Sequence, residues 1–572
     1  MSRDRVKNPL LGTAILLSGM TGALSLVGYS VPAAAIESAP AAAAQVATDD
    51  RCAALSGVKL DQVTLESAAT QAARAPVVGA HLPGMDGKPD SGAPVAGLPA
   101  FCRVIGQIHP EPGSEIRFEV WMPTEGWNGR LNGVGTGGFA GSIDYMTLSA
   151  VVKAGQAGAS TDTGHRGNAQ DSAWAKGHPE RVRDYGWRAI HLTSVAAKKL
   201  VVAFYNKGPD HSYFIGCSNG GRQGLMEASR FPEDYDGILS GAPAAVWTDL
   251  AVSMINPVQA QLPAGAAIRP EQVHLLQDQV LKQCDALDGQ VDGLVADPRQ
   301  CKLDTSKLSC GVSNSPQCFT ALQLAALKKI YAGPHDASGH PLTGGYLPSG
   351  SEAGTPWPPL GWEGYIVAGP GGRPQGDILV GGLLKDVVQV PFATPATFDF
   401  NKDPARLKAA LAADLDAQPN LRPFFDHGGK LILWHGWADA AIPPEATLKF
   451  HQAILRSSGP RAKDSVRLFM IPDVQHCFGG TGPDVFGQLS APQPGDTPDR
   501  SMSAALQGWV EGGAPPETLI GRRGVGGLMG IPETAPERQR LLCAYPSKAV
   551  LSSGGDPDKA SSYSCQVAGT PH

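Results

Sequence analysis

Residues 216–224 read Gly-Cys-Ser-Asn-Gly-Gly-Arg-Gln-Gly, and this stretch decides the fold. Its first five letters are a Gly-x-Ser-x-Gly nucleophile elbow, in which a serine sits on a sharp turn between a strand and a helix. A β-like run at 212–215 precedes the serine, and residues 222–230 suit a helix. An isolated motif in a chain with 70 glycines is more often a turn, but this context makes Ser218 the candidate nucleophile.

Strand-like and helix-like stretches alternate on both sides of the elbow. Residues 115–135 alternate apolar and polar side chains, residues 187–206 have helical apolar spacing, and strand-like runs recur at 237–239, 429–436 and 466–471. Such alternation predicts an α/β fold whose sheet is mostly parallel and flanked by helices. With the elbow, it predicts an α/β-hydrolase fold.

The chain divides into a core interrupted by an insertion. Residues 51–246 form the first part of the predicted core and residues 426–572 the second. Between them, residues 247–425 mix helical stretches at 272–281 and 321–331 with segments rich in proline and glycine. We interpret this middle part as a large inserted lid domain.

The N-terminus has the pattern of an export signal. Basic residues are followed by an apolar stretch at 10–27 and by three alanines at 33–35, which predicts a signal peptide over 1–35 and a disordered linker over 36–50. A membrane anchor is the alternative, although glycine, serine and threonine interrupt the stretch. No later segment reaches membrane-spanning length. We therefore expect a periplasmic or secreted protein with no membrane contact after cleavage.

The composition limits the classes of partner and cofactor. Hydrophobic residues make up 42% of the 572, which is enough for a large core. The net charge of −6 gives no reason to expect nucleic acid or an anionic membrane as a partner. No motif indicates an organic cofactor, and the oligomeric state is left undetermined.

A serine nucleophile needs a base and an acid that orients the base. His476 lies in the loop after the 466–471 run, where the order Ser…Asp…His of α/β-hydrolases places the base. Asp439, at a strand end, is the favoured acid. Its alternative role is the stabilisation of a turn. The remaining rivals for the two roles are His435, His165 and Asp473.

Oxyanion stabilisation requires preorganised backbone N–H donors. The elbow predicts one donor at Asn219, the residue after the nucleophile. The second is expected from the glycine-rich loop 133–141, at Gly137 or Gly138, and the sequence does not choose between them.

The ten cysteines are even in number, as expected for disulfides in an oxidising compartment. Cys217 precedes the serine and Cys477 follows the histidine, so a meeting of serine and histidine brings both within bonding distance. Two buried thiols are the alternative. Proximity in sequence predicts four further pairs, which are Cys52–Cys102, Cys284–Cys301, Cys310–Cys318 and Cys543–Cys565.

An acidic loop lies in the predicted insertion. Residues 284–295 read Cys-Asp-Ala-Leu-Asp-Gly-Gln-Val-Asp-Gly-Leu-Val. Such a loop offers only oxygen ligands, which suit calcium, although the pattern is not that of an EF-hand. A solvated acidic turn is the alternative. The candidate ligands are the carboxylates of Asp285, Asp288 and Asp292 and the backbone carbonyls of Gln290 and Leu294.

These motifs together resemble the tannase/feruloyl esterase family of serine esterases. The matching residues are the elbow 216–224, the segment 435–439 with 442–444, the pair His476-Cys477, and the stretches 161–165 and 508–511. The resemblance implies a Ser-His-Asp triad, an active-site disulfide, a large lid and a structural calcium ion held by the five ligands above. It covers nearly the whole mature chain.

The resemblance implies a carboxylic-ester hydrolase for small esters of phenolic acids, such as feruloyl or galloyl esters, which can be attached to polysaccharide. The family also contains hydrolases of mono(2-hydroxyethyl) terephthalate, and these are the runner-up. A catalytically inactive, calcium-stabilised protein that binds aromatic glycoconjugates is an alternative of another class. Substrate-contacting residues are not fixed by any motif. Candidates that also suit the lid core are Trp357, Trp362, Tyr365, Phe392, Phe398 and Phe400, and Arg373 is either a ligand of a substrate carboxylate or a solvated side chain.

Overall fold

The computed structural model describes residues 50–82, 91–311, 317–354, 360–369, 372–523 and 538–567. The predicted signal peptide and the linker up to residue 49 lie outside these ranges. Asp50, expected in the linker, begins the first helix. Residues 49–572 form one compact unit. Within the described ranges, no helix combines the length and the apolar character needed to cross a bilayer.

Nine strands form one sheet in the order β1-β2-β3-β5-β4-β6-β7-β8-β9. Strands β4 to β9 are parallel, whereas β1, β2 and β3 are antiparallel to their neighbours. Two hairpin sheets, β10-β11 and β12-β13, follow near the C-terminus. The strands are β1 (Val63–Gln71), β2 (Phe101–Ile108), β3 (Ile116–Pro123), β4 (Arg130–Val134), β5 (Ala157–Thr161), β6 (His211–Cys217), β7 (Gly237–Gly241), β8 (Lys430–Gly436), β9 (Val466–Ile471), β10 (Thr518–Arg523), β11 (Arg538–Cys543), β12 (Ser547–Leu551) and β13 (Tyr563–Val567).

Helices cover both faces of the sheet and fill the predicted insertion. They are α1 (Asp50–Ala54), α2 (Tyr145–Lys153), α3 (Pro179–Arg183), α4 (Ala189–Tyr205), α5 (Asn219–Arg230), α6 (Trp247–Ala260), α7 (Pro270–Cys284), α8 (Ala321–Ala332), α9 (Trp362–Tyr365), α10 (Gln375–Gly382), α11 (Asp403–Leu415), α12 (Arg422–Asp426), α13 (Pro444–Ser457), α14 (Ala462–Ser465) and α15 (Met502–Val510).

Alternate side chains of the central strands enter cores on opposite faces, as the two-residue period of a strand requires. In β6, Tyr213 and Ile215 pack with side chains of α2 and α15. Phe214, between them, packs instead with Leu225 of α5 and Leu448 of α13. A mostly parallel sheet between helical layers confirms the predicted α/β-hydrolase fold.

The insertion begins after β7 and ends before β8, and backbone pairing joins its first residues to its last residues. Ala417 N donates to Ala245 O at 2.8 Å, and Val246 pairs with Asp416. The Asp416 carboxylate also accepts from the backbone and hydroxyl of Thr248. The two ends of the insertion are thus joined at residues 245–246 and 416–417. Helix α12, which the sequence assigned to the lid, packs with the core cluster that contains side chains of β8.

Candidate active site

The elbow places Ser218 at the end of β6 and at the start of α5. Its backbone has φ 63° and ψ −125°, a conformation that L-residues rarely adopt. Gly216 and Gly220 permit this sharp turn, because a Cβ on Gly216 would lie 2.5 Å from the backbone of Gly220. Ser218 N donates to Gly241 O at 2.9 Å, which fixes the turn against β7.

Polar side chains at the start of α5 hold the glycine-rich loop after β4. Asn219 Nδ2 donates to Thr136 O at 3.1 Å, and Thr136 N donates to Gln223 Oε1 at 2.9 Å. Buried Arg222 donates to Asn219 Oδ1 at 2.7 and 2.9 Å, and so fixes the asparagine side chain. Sequence reasoning assigned these side chains no role, although their letters lie within the elbow motif.

Gly137 and Gly138 follow Thr136, and both line the same cavity as Ser218 and Asn219. Tyr185 Oη donates to Gly138 O at 2.9 Å, which orients the peptide that follows this glycine. The three residues predicted as oxyanion donors therefore line the same cavity as the serine. The structure does not single out one glycine as the second donor.

Asp439 and His476 meet at the carboxyl end of the sheet, after β8 and β9. His476 Nδ1 lies 2.7 Å from Asp439 Oδ2, and the aspartate is 3% exposed. His435 is a second partner, because its Nε2 lies 3.0 Å from the same oxygen. Burial would raise the pKa of Asp439, but the two histidines hold that pKa well below its usual range.

All five disulfides predicted from the sequence are formed, and every cysteine is paired. Cys217 and Cys477 have their Cα atoms 6.0 Å apart, and each is adjacent to a candidate catalytic residue. The bridge thus ties the elbow to the loop of His476. Ser218 and His476 face the same cavity.

The cavity has a volume of about 270 Å³ and lies between the core and the insertion. Apolar side chains of the insertion, which sequence reasoning did not select, form much of its wall. No sequence pattern distinguishes these side chains, because a leucine that lines a cavity occurs at the same helical spacing as a leucine in a core. The lining residues are Gly137, Gly138, Ala169, Cys217, Ser218, Asn219, Ala244, Trp247, Leu250, Met254, Leu360, Tyr365, Gln375, Leu379, Ala441, Ile442, His476, Cys477 and Phe478.

Of the aromatic candidates, only Tyr365 is found at the cavity among the described residues; its ring meets that of His476 edge-on at 5.7 Å. Trp362, Phe392, Phe398 and Phe400 pack within the insertion instead. Trp357 lies outside the described residues. Arg373 is exposed and pairs with Asp377 at 2.7 Å, away from the cavity wall.

The other rivals for the catalytic roles have supporting positions. His165 stacks on Trp174 at 3.8 Å, and its Nε2 lies 2.7 Å from Phe139 O, at the back of the glycine-rich loop. Burial lowers its pKa to about 4. Asp473 is fully buried, and its carboxylate accepts from the Thr481 hydroxyl rather than from His476.

The acidic loop has the ligand chemistry of a calcium site, but its side chains are not gathered around one point. Its three carboxylates and two carbonyls are the oxygen ligands that calcium prefers. Burial raises the pKa of Asp288, and the charges of Asp292 and Asp285 add to this effect. Within the described ranges the three carboxylates do not meet within 4.8 Å, and Asp292 pairs with Arg540 of β11. The donor chemistry fits the ion, while one ligand is engaged elsewhere.

Comparisons with known proteins agree with this geometry. The chain matches the family described as "Tannase and feruloyl esterase" over residues 102–566. It is 36% identical to an uncharacterised esterase of Xanthomonas campestris pv. campestris, with 82% of this chain and 84% of the relative covered. It is 30% identical to a mono(2-hydroxyethyl) terephthalate hydrolase of Piscinibacter sakaiensis, over 83% and 86%.

Relatives named as feruloyl esterases match as well. A probable feruloyl esterase B-2 of Aspergillus terreus is 28% identical, with 82% of this chain and 86% of the relative covered. The solved structure of feruloyl esterase B from Aspergillus oryzae superposes with a TM-score of 0.79 and 25% identity, over 90% of this chain and 99% of that one. The chain therefore belongs to the tannase and feruloyl esterase family and is a carboxylic ester hydrolase.

Proposed function

We propose that the protein hydrolyses esters of phenolic acids, such as feruloyl or galloyl esters, through an acyl-enzyme on Ser218. The observation that carries the proposal is the 2.7 Å contact of His476 Nδ1 with Asp439, on the wall of the cavity that holds Ser218. Nδ1 donates to the carboxylate, so Nε2 is left to accept a proton.

In this mechanism, Ser218 Oγ attacks the ester carbonyl and its proton passes to Nε2 of His476. The backbone N–H of Asn219, with that of Gly137 or Gly138, stabilises the oxyanion. The imidazolium then protonates the leaving alcohol. Water, activated by the same nitrogen, attacks the acyl-serine and releases the acid. Asp439 stabilises the positive imidazolium and remains ionised throughout.

The wall of the cavity favours a neutral aromatic acyl group. Among the described residues that line it, none is a lysine, an arginine or a carboxylate. Trp247, Tyr365 and Phe478 contribute ring surfaces. The volume of about 270 Å³ suits one aromatic acid, so a polysaccharide bearing the ester would remain outside.

A terephthalate monoester hydrolase is the second candidate, because one relative has that name. Its substrate carries a free carboxylate, which a cation at the site would stabilise. No lysine or arginine is among the described residues that line the cavity, and this supports the phenolic esters as the first candidate.

The test is hydrolysis of methyl ferulate, methyl gallate, chlorogenate and mono(2-hydroxyethyl) terephthalate by the purified mature protein. We expect a phenolic ester to have the highest kcat/KM. Ser218→Ala should lower kcat by a factor on the order of 10⁵ or more. Full activity in this variant would exclude the acyl-enzyme. Failure of a fluorophosphonate probe to label Ser218 in folded protein would favour the binding-protein alternative.

We also propose that the protein is exported. Five disulfides fit an oxidising compartment, and the signal-like N-terminus agrees with it. Cell fractionation with an activity assay tests this, and activity confined to the cytoplasm would contradict it.

A further inference from the structure

Three metal-ligating side chains converge on the face of the sheet covered by α4 and α5. His191 belongs to α4, Glu227 to α5, and Asp234 to the turn after α5. One ligand atom from each lies within 4.8 Å of the other two. None of the three lines the active-site cavity.

Glu227 is the unusual member of this cluster. Its side chain is 1% exposed, no donor group of the described residues reaches its ionised carboxylate, and its polar neighbour is the Asp234 carboxylate. A buried carboxylate without a donor or counterion is costly, so a proton or a cation must compensate it. Burial raises the pKa of Glu227 well above its usual value, and the charge of Asp234 raises it further.

His191 and Asp234 complete the site and give it an opening. His191 Nδ1 lies 2.7 Å from Asp234 Oδ2, and the ring is stacked on Phe231 at a centroid distance of 3.6 Å. The histidine side chain is 25% exposed, which leaves a path from solvent. The nearby cation, Lys198, is 3.9 Å from the other oxygen of Asp234.

We propose that His191, Glu227 and Asp234 bind a divalent transition-metal ion of the zinc class. One imidazole nitrogen and two carboxylate oxygens are suitable zinc ligands, and water completes the coordination from the exposed side. The nitrogen ligand distinguishes this site from the all-oxygen acidic loop. Metal binding would cross-link α4 to the C-terminal end of α5. The elbow lies at the N-terminal end of the same helix.

The test uses mature protein kept in excess calcium and titrated with Zn²⁺ by calorimetry. A parallel titration with Co²⁺ gives absorption bands that report a nitrogen ligand. We expect one equivalent to bind and to raise Tm. Glu227→Gln and His191→Asn should each weaken Zn²⁺ binding by at least about tenfold.

A matched control is available in the same chain. His178 also contacts a carboxylate through Nδ1, at 2.8 Å from Glu180, but it has no third ligand. His178→Asn should leave Zn²⁺ binding unchanged. The proposal fails if the wild-type protein binds no equivalent, or if it and the folded His191→Asn variant bind Zn²⁺ equally. Either result would mean that a proton, shared between Glu227 and Asp234, compensates the buried charge.

Discussion

The Asp439 carboxylate satisfies more donors than a triad requires. Its Oδ2 faces His476 and His435, and its Oδ1 accepts from the backbone N–H groups of Ala441 and Ile442, both at 2.8 Å. This arrangement keeps the carboxylate ionised and immobile. The sequence alone predicts His435 only as a rival base, and it gives no sign that His435 also contacts Asp439.

The two histidines should differ in their effect on catalysis. His476→Ala should lower kcat by a factor on the order of 10⁴ or more, since the base is lost. His435→Gln should lower kcat by about 10- to 100-fold, since Asp439 is only less well placed. Kinetics with the best ester of the panel checks this. Thr447→Val, which removes the 2.7 Å contact to His435 Nδ1, is the milder control.

Equal losses in His476→Ala and His435→Gln would contradict these assignments. Full activity in His435→Gln would show instead that the backbone donors alone hold Asp439.

Glu352 predicts a pH dependence of stability. Burial raises its pKa to about 7 in the folded protein, from an ordinary value of 4.5. The folded state therefore binds this proton more tightly than the unfolded state does. The resulting contribution to the free energy of unfolding is complete below pH about 4.5 and is lost as the pH rises through 7. Across this pH range the contribution of Glu352 to the free energy of unfolding changes by an amount on the order of 3 kcal/mol.

Glu352→Gln should consequently show a smaller fall in Tm between pH 5 and pH 8 than the wild-type protein. Differential scanning fluorimetry measures this, with Glu363→Gln in the same region of the insertion as a control. Parallel Tm curves for wild type and Glu352→Gln would mean that Glu352 is ionised in the fold.

At the level of elements, the glycine-rich loop after β4 offers a matched pair of substitutions. Gly138 has φ +53°, and a Cβ there would lie 2.3 Å from Ala169 O, whereas a Cβ on Gly137 meets nothing within 4 Å. Gly138→Ala should displace the loop, lower Tm and reduce kcat. Gly137→Ala should leave Tm unchanged. A Tm loss in Gly137→Ala alone would contradict this description of the loop.

Elements with strong local patterns were predictable, and edge elements were not. The strand before Ser218 and the strand 466–471 were both found from buried apolar runs. Strand β1 was missed because its side chains are only half-buried or exposed, which leaves no apolar alternation to detect. The hydrogen bonds of Asn219 and Gln223 to the glycine-rich loop depend on contacts across more than 80 residues and have no local pattern.

At the scale of the whole molecule, we propose that the acidic loop binds a structural calcium ion that stabilises the insertion. Removal of calcium with EGTA should lower Tm by several degrees, since an ion bound at about 100 times its Kd contributes about 2.7 kcal/mol. Added Ca²⁺ in excess of the chelator should restore Tm. Asp288→Asn should be insensitive to the chelator, and an unchanged wild-type Tm in EGTA would contradict the proposal.

The change in composition near Trp247 predicts a division into core and insertion, but no sequence pattern predicts the cavity between them. Leu250, Met254 and Leu379 reach that cavity only because the two parts pack against each other. A single sequence carries no measure of that packing, so the residues that line the cavity emerge only in three dimensions.

The bridge between Cys217 and Cys477 joins positions 260 residues apart, and the whole insertion lies within the covalent ring that it closes. A protease that cuts one surface loop of this ring produces two polypeptides, one carrying Ser218 and the other carrying His476. The two remain a single covalent molecule, so such a nick opens the backbone without separating Ser218 from His476.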